Sequence, residues 1–224
     1  MTLHVPIVQH QSVNGLIEPT PLVIDLDKLN IAVEEIFAYA KFDKYSALAA
    51  PSKNVNFNLN YPSKISDEYL SVESRKYVGR LSLGEEDLMK QFNVSTTDFD
   101  TMPDLVKNSY IGEVTAQLTA WHNTNRAALG HINRVHCIVL SNGSGHRLHV
   151  DPHTTCRYHI ALTTNIYSYM MAVDENQVKT VHIPADGRIW LLDTNNEHAA
   201  QNIAPHHIGK DKRLRIHMVF SVSK

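Results

Sequence analysis

Cysteine is nearly missing from this chain. Two thiols in 224 residues, Cys137 and Cys156, cannot build a disulfide framework. Both fall in expected strands, where a thiol behaves as a small apolar side chain. A chain of this length buries roughly 70–75% of its unfolded surface and needs no such staple. Long hydrophobic runs are also absent: none approaches the ~20 residues of a membrane span, which excludes a helical membrane protein. The opening MTLHVPIVQHQ has no charged start followed by a long apolar stretch, so no secretory leader is expected, and the cytoplasm is the expected compartment. Charge of one sign is lacking too. With 21 Lys and Arg against 23 Asp and Glu, nothing supports the strongly basic surface that nucleic acid requires. There is no G-x-S-x-G elbow, phosphate-binding G-x-x-x-x-G-K, G-x-G-x-x-G or C-x-x-C, so the usual nucleophile, nucleotide and redox motifs are excluded.

Histidine is what the chain has in excess. Twelve of its 14 histidines lie between His122 and His217, where even spreading would place about six. Charge is divided along the same line. Residues 1–120 carry 16 acids and 10 bases, and residues 121–224 carry 7 acids and 11 bases. That split is either ordinary fluctuation or the mark of a small anion held by the second part.

The length and the absence of repeats, low-complexity tracts or linkers predict one domain over 1–224. Residues 1–120 read as mixed supporting structure and a lid. LVIDLD (22–27) suits a short strand. Asp27 suits the cap of a helix over Lys28–Phe42, with Leu29, Ile31, Val33, Ile36, Phe37 and Ala40 near helical spacing. VNFNLNY (55–61) alternates like a strand. GEEDLMKQF (84–92) has acids where a helix begins. A longer helix is expected from Pro103 to Trp121, capped by Thr101. From Ile132 the texture changes to eight short strands, 132–140, 146–151, 156–163, 167–173, 178–183, 188–193, 198–203 and 214–222. Turns such as SNGSG and PADG separate them. The expected fold is mainly β with supporting N-terminal helices, the strands closing into a sandwich or barrel.

The strands carry an unusual polar face. Arg157, His159, Ala161 and Thr163 alternate with Tyr158, Ile160 and Leu162, and Arg215, His217 and Val219 alternate with Leu214, Ile216, Met218 and Phe220. A solvent face is the ordinary explanation. Yet residues 132–164 contain no Lys and no Glu, the residues that usually coat an exposed sheet, which favours a polar lumen. Cys137 and Cys156 then lie on the far face, unsuited to nucleophilic work.

The chemistry concentrates in HRLHVDPH (146–153). His149 and Asp151, two apart on a strand, project from one face about 6–7 Å apart at the backbone. His198 follows a turn and opens a later strand, supplying a distant third ligand. Two histidines and one carboxylate on one side of a metal leave adjacent positions open, as in non-haem Fe(II) oxygenases. Zinc takes the same ligands, but a zinc hydrolase wants a carboxylate base, and the available Glu197 neighbours His198 and so points away. His146, three residues from His149, belongs on the opposite strand face. Arg215 offers a permanently charged bidentate clamp for a carboxylate. Iron ligands plus that clamp describe a site for 2-oxoglutarate.

Over residues 131–222 the chain resembles the aspartyl/asparaginyl β-hydroxylase family of Fe(II)/2-oxoglutarate-dependent oxygenases, in its bacterial proline-hydroxylase-like branch. The resembling segments are RVHCIVLSNGSGHRLHVD, CRYHIALTTN, IPADGRIWLLDTNNEHAAQN and RLRIHMVFSV. The resemblance implies a double-stranded β-helix, or cupin-like jelly roll. It implies His149, Asp151 and His198 as ligands of Fe(II), and Arg215 as the anchor of the cosubstrate 2-oxoglutarate, with O2 as oxidant. Arg213 is a rival anchor, because strand alternation puts it on the same face. Arg157 and His159 are read as lining the cofactor pocket, Arg157 also as a partner for a substrate carboxylate. Trp190 is read as core. The implied activity is dioxygenase hydroxylation of an unactivated C–H bond in an amino acid, free or within a peptide. The alternatives are a cupin-like metal-binding sensor without turnover and a zinc-dependent hydrolase. No nucleic acid and no membrane is expected as a partner.

Overall fold

The structure is a computed structural model that describes residues 9–10, 12–13, 15–49, 55–64, 93–95, 97–174 and 177–224. In chain order its strands are β1 (Gln9–His10), β2 (Ile17–Val23), β3 (Val55–Asn58), β4 (Tyr61–Pro62), β5 (Phe99–Thr101), β6 (His131–Leu140), β7 (Ser144–His149), β8 (Cys156–Thr163), β9 (Ser168–Asp174), β10 (Gln177–Val181), β11 (Arg188–Asp193), β12 (His198–Asn202) and β13 (Arg215–Ser223). The helices are α1 (Leu26–Tyr39), α2 (Ser46–Ala49), α3 (Asp104–Lys107) and α4 (Tyr110–Asn125). Among the described residues no helix is long and apolar enough to cross a membrane. The helix expected at 84–92 lies outside the described residues.

Six strands form one sheet in the order β2-β11-β8-β13-β6-β3, and five form another in the order β1-β10-β9-β12-β7. Pairing is antiparallel throughout except between β1 and β10. Along β6–β13 the chain alternates between the two sheets strand by strand, with β6, β8, β11 and β13 in the larger and β7, β9, β10 and β12 in the smaller. Only the β9–β10 hairpin stays in one sheet, which is the winding of a double-stranded β-helix. They are the eight strands expected from the alternation.

The two faces of the larger sheet differ. Val135, Cys137, Val139, Tyr158, Ile160, Met218 and Phe220 face outward, where they join Leu29, Val33, Ile36 and Phe37 of α1 and Ile111, Val114 and Leu118 of α4 in one apolar cluster. Fully burying each large member contributes about 1.5–3 kcal/mol. Ile138, Leu140, Ala161, Trp190 and Val219 face inward, meeting Met170, Ala172 and Ala200 of the smaller sheet. Both faces are therefore covered, and the polar alternation in β8 and β13 is a lumen rather than a solvent surface. Trp190 packs in the inner cluster, as expected. Both thiols lie on the outer side, where burial pushes Cys156 up to about 12 and Cys137 up as well.

The first 120 residues depart most from expectation. The strand expected at 22–27 runs instead over Ile17–Val23, across Pro19 and Pro21. Proline is tolerated there because β2 is an edge strand, where a missing N–H costs no ladder bond. The α1 cap is Asp25, not Asp27: its carboxylate accepts the Lys28 N–H at 3.1 Å. Ile31, read as part of the apolar stripe, is exposed. The helix expected over Pro103–Trp121 is two helices, because Ser109 restarts the chain by capping Ile111. The 55–61 run is interrupted after Asn58. There the Asn60 side chain accepts the Val135 N–H at 2.8 Å in place of the backbone ladder.

Candidate metal centre

His149, Asp151 and His198 come together at one rim of the lumen, with one potential ligand atom from each within 4.8 Å of the others. The pairing of β7 with β12 sets His149 directly opposite His198, and their rings lie 4.4 Å apart. Asp151 follows the end of β7 and is steered back by its own N–H, which donates to the Thr194 carbonyl at 3.2 Å. His149 Nε2 is 3.4 Å from one Asp151 oxygen, and His198 Nε2 is 3.6 Å from the other.

The other side of each ring is held by the backbone. His149 Nδ1 lies 2.6 Å from the Arg147 carbonyl, and His198 Nδ1 lies 2.9 Å from the Asn196 carbonyl. A carbonyl only accepts, so both rings carry their proton on Nδ1 and turn the Nε2 lone pair toward Asp151. That is the tautomer a metal ligand needs. His198 Nε2 is buried with no hydrogen-bond partner. The His198, Asp151 and His149 side chains are 3%, 11% and 37% exposed, so the cluster opens to solvent on the His149 side. The donor set fits a divalent transition metal on an orphaned buried nitrogen, a carboxylate and a second imidazole.

Arg157 faces inward as expected, but its charge partner is Asp151, 2.8 Å from Nη2, and not an open position for substrate. Burial acts to raise the Asp151 carboxyl, yet the group is held below its ordinary value, with the charge of Arg157 among the causes. Arg157 itself is lowered by burial, with Asp151 opposing.

Arg215 is fully buried on the inner face of β13. Its Nη2 contacts Met170 Sδ at 2.7 Å and donates to His217 Nδ1 at 3.1 Å. Among the described residues no carboxylate is within ion-pair distance of it, and burial pushes it down to about 9. An unpaired buried guanidinium is costly until an anion joins it. Arg213 differs from it. Residues Lys210–Arg213 form a 3-10 turn, and the strand begins only at Arg215. The alternation expected to make the two arginines equivalent does not reach Arg213.

His159 is buried with neither ring nitrogen bonded, and its ring lies 5.7 Å from that of His217. Because His217 Nδ1 accepts from Arg215, its proton sits on Nε2, which is also buried and unpartnered. Burial and the neighbouring arginines keep both histidines well below the ordinary value, hence neutral.

His146 corrects the expectation of an outward face. The ladder runs His198 to His149 but Ala200 to His146, so β7 holds one extra residue. This bulge turns His146 to the same face as His149, with rings 6.1 Å apart. Burial, then the charges of Arg157 and Arg215, lower it to about 4. The usable signal was Gly145. A Cβ there would come within 2.4 Å of the Ala200 carbonyl, and a strand glycine often marks such a bulge. Asp193 closes β11 just before the turn that leads to His198. It accepts the Asn195 N–H at 2.9 Å and an Asn196 amide proton at 2.9 Å, shaping the turn that holds His198. Glu197 is exposed.

No family model and no curated protein matches this chain. Among solved structures it is similar to an oxidoreductase of the 2OG-Fe(II) oxygenase family from Burkholderia pseudomallei. Identity is 14% over 56% of this chain and 60% of that one, with TM-score 0.43. It is similar to Bacillus subtilis oxalate decarboxylase at 17% identity, over 46% of this chain and 24% of that one, with TM-score 0.32. The cupin domain of Schizosaccharomyces pombe Cnp3 gives 10% identity over 41% and 56%, with TM-score 0.29. The chain thus spans less than two thirds of each of these.

Proposed function

We propose that this protein is an Fe(II)- and 2-oxoglutarate-dependent dioxygenase that hydroxylates an unactivated C–H bond of an amino acid, free or in a peptide. The observation that carries the reading is the pairing of two features on facing sheets. One is a His149-Asp151-His198 cluster with both Nε2 lone pairs presented; the other is the buried Arg215 guanidinium, which has no carboxylate partner among the described residues. When bound, iron and 2-oxoglutarate would supply the oxidising chemistry, with O2 consumed and succinate and CO2 released. The chain's own part is placement. His149, Asp151 and His198 would hold the metal at the open rim. Arg157 neutralises Asp151 and orients its carboxylate. Arg215 would hold the far carboxylate of the cosubstrate, and the His217 Nε2–H stands beside it as a neutral donor. The inner apolar cluster excludes water behind the site.

Among the described residues, Glu197, the base that the hydrolase alternative would call on, is exposed. Anaerobic addition of Fe(II) and 2-oxoglutarate should produce a visible metal-to-ligand absorption band that is lost in His149→Ala. Zinc binding without such a band from iron would sink the oxygenase reading. Separate replacement of Arg213 and Arg215 tests the anchor, with the larger rise in 2-oxoglutarate requirement expected for Arg215.

A further inference from the structure

The N-terminal part of the chain reaches the lumen through β3. Its partner is β6, in a register that sets Asn56 opposite Ile138 and Asn58 opposite His136. Phe57 points the other way and packs 4.9 Å from both Phe37 and Phe42. That aromatic cluster fixes the strand, so the asparagines on its inner face are rigidly placed. The row continues across the sheet, with His136 and His159 both opposite Val219 and Trp190 opposite His159.

This row holds unsatisfied polar atoms. Asn58 is fully buried. Its Oδ1 must be the atom facing Arg134 Nε, at 2.8 Å, because guanidinium only donates. The amide nitrogen is thereby left as a donor without a partner. Asn56 Oδ1 and His136 Nδ1 are buried and unpartnered as well. Each such group is costly if nothing bonds it, and native structures tolerate few of them. Burial, then the charges of Arg134 and Arg157, hold His136 well below the ordinary value, so it is neutral; it also feels His146 of β7 across the gap between the sheets. The subsite therefore offers one amide donor, one amide acceptor and a neutral imidazole, next to cationic arginines that disfavour a purely cationic guest.

We propose that Asn56, Asn58 and His136 recognise the primary substrate through a group carrying adjacent N–H and carbonyl or carboxylate oxygen. That chemistry is offered by the head of an α-amino acid or by a peptide amide. The assignment rests on the oxygenase reading only in naming the guest as the substrate.

The test uses the whole chain and two sets of probes, the common L-amino acids and their N-acetyl amide derivatives, scored by the rise in melting temperature and then by titration. Asn58→Asp keeps the acceptor for Arg134 but removes the donor, and Asn56→Leu removes the acceptor. At least one probe should stabilise the wild type, and its Kd should rise by about tenfold or more in each variant. A hit among free amino acids identifies a free substrate, and a hit confined to the capped derivatives identifies a peptide. Mn(II) with 2-oxoglutarate should stabilise wild type and both variants alike. The proposal is overturned if no probe stabilises the wild type, or if every hit binds both variants unchanged, as when only water fills the subsite. If Mn(II) and 2-oxoglutarate fail on the wild type, the oxygenase reading fails by itself, and the probe results still decide the subsite.

Discussion

Tyr158 and His159 are consecutive residues of β8, both buried, and they meet opposite surroundings. Tyr158 faces the helices, where its hydroxyl lies 2.8 Å from His122 Nδ1, and His122 Nε2 is bonded to the Gly130 carbonyl at 3.0 Å. Every polar atom of that pair has its partner. His159 faces the lumen, and neither of its ring nitrogens does. The same sheet thus carries a finished apolar side and an unfinished polar one. Buried histidine alone says little about function; His122 is a satisfied structural residue. An accumulation of unpartnered donors on one face, with a guanidinium lacking a counter-ion, describes a place built for something else to occupy.

The sharpest way to break this comparison is to remove a ligand from the inner side. His198→Ala should reduce metal affinity on the order of 100-fold or more, beyond the 10–100-fold expected for outer supporting groups, with folding retained. Calorimetric titration with Mn(II) and circular dichroism would check both halves. Next is Arg215→Met. If the guanidinium waits for an anion, the metal-free variant should be as stable as wild type or more stable by about 1–4 kcal/mol, while 2-oxoglutarate binding is lost. A variant destabilised by several kcal/mol would mean that Arg215 is structural.

Acid should act through the inner side. His136, His159 and His217 are neutral when folded, their values held well below 6.5 by burial first and by nearby arginines. The unfolded chain therefore binds more protons below that value. Stability is fully present above about pH 6.5 and falls as pH drops through it, by about 1.4 kcal/mol per pH unit for each such histidine. Urea midpoints of the metal-free protein across that range would show it. The smallest effect belongs to the finished side. Tyr158→Phe strands the His122 ring nitrogen and should cost about 1–2 kcal/mol, leaving Mn(II) affinity unchanged.

Legibility in the sequence followed the periodicity of each segment. The eight strands β6–β13 were readable because alternation repeats in each and turns separate them. His149 and His198 were readable as strand residues that β7 and β12 set opposite each other, whereas Asp151 lies just past the end of β7 and joins them through its N–H bond to Thr194 rather than by sharing a strand face. His146 was misplaced because period-two counting assumes an unbroken ladder, and one extra residue in β7 reverses it. The β2 strand was misplaced because prolines argue against a strand unless it lies at an edge, and edge position is not a local property. Asn56 and Asn58 carry no local signal of a site, since asparagine in an alternating run reads as the solvent side.

What the sequence determined by itself was which residue types alternate, and hence the β-rich second part, its polar face and the spacing of the ligand candidates. Local stereochemistry is enough for that, because a strand turns successive side chains to opposite faces whatever lies beyond it. The tertiary structure decided which polar face was covered and which buried groups found partners. It set Arg157 on Asp151, left Arg215 without a carboxylate among the described residues, and brought β3 in from the N-terminal part. Those outcomes depend on packing between segments far apart in the chain, which no local pattern encodes.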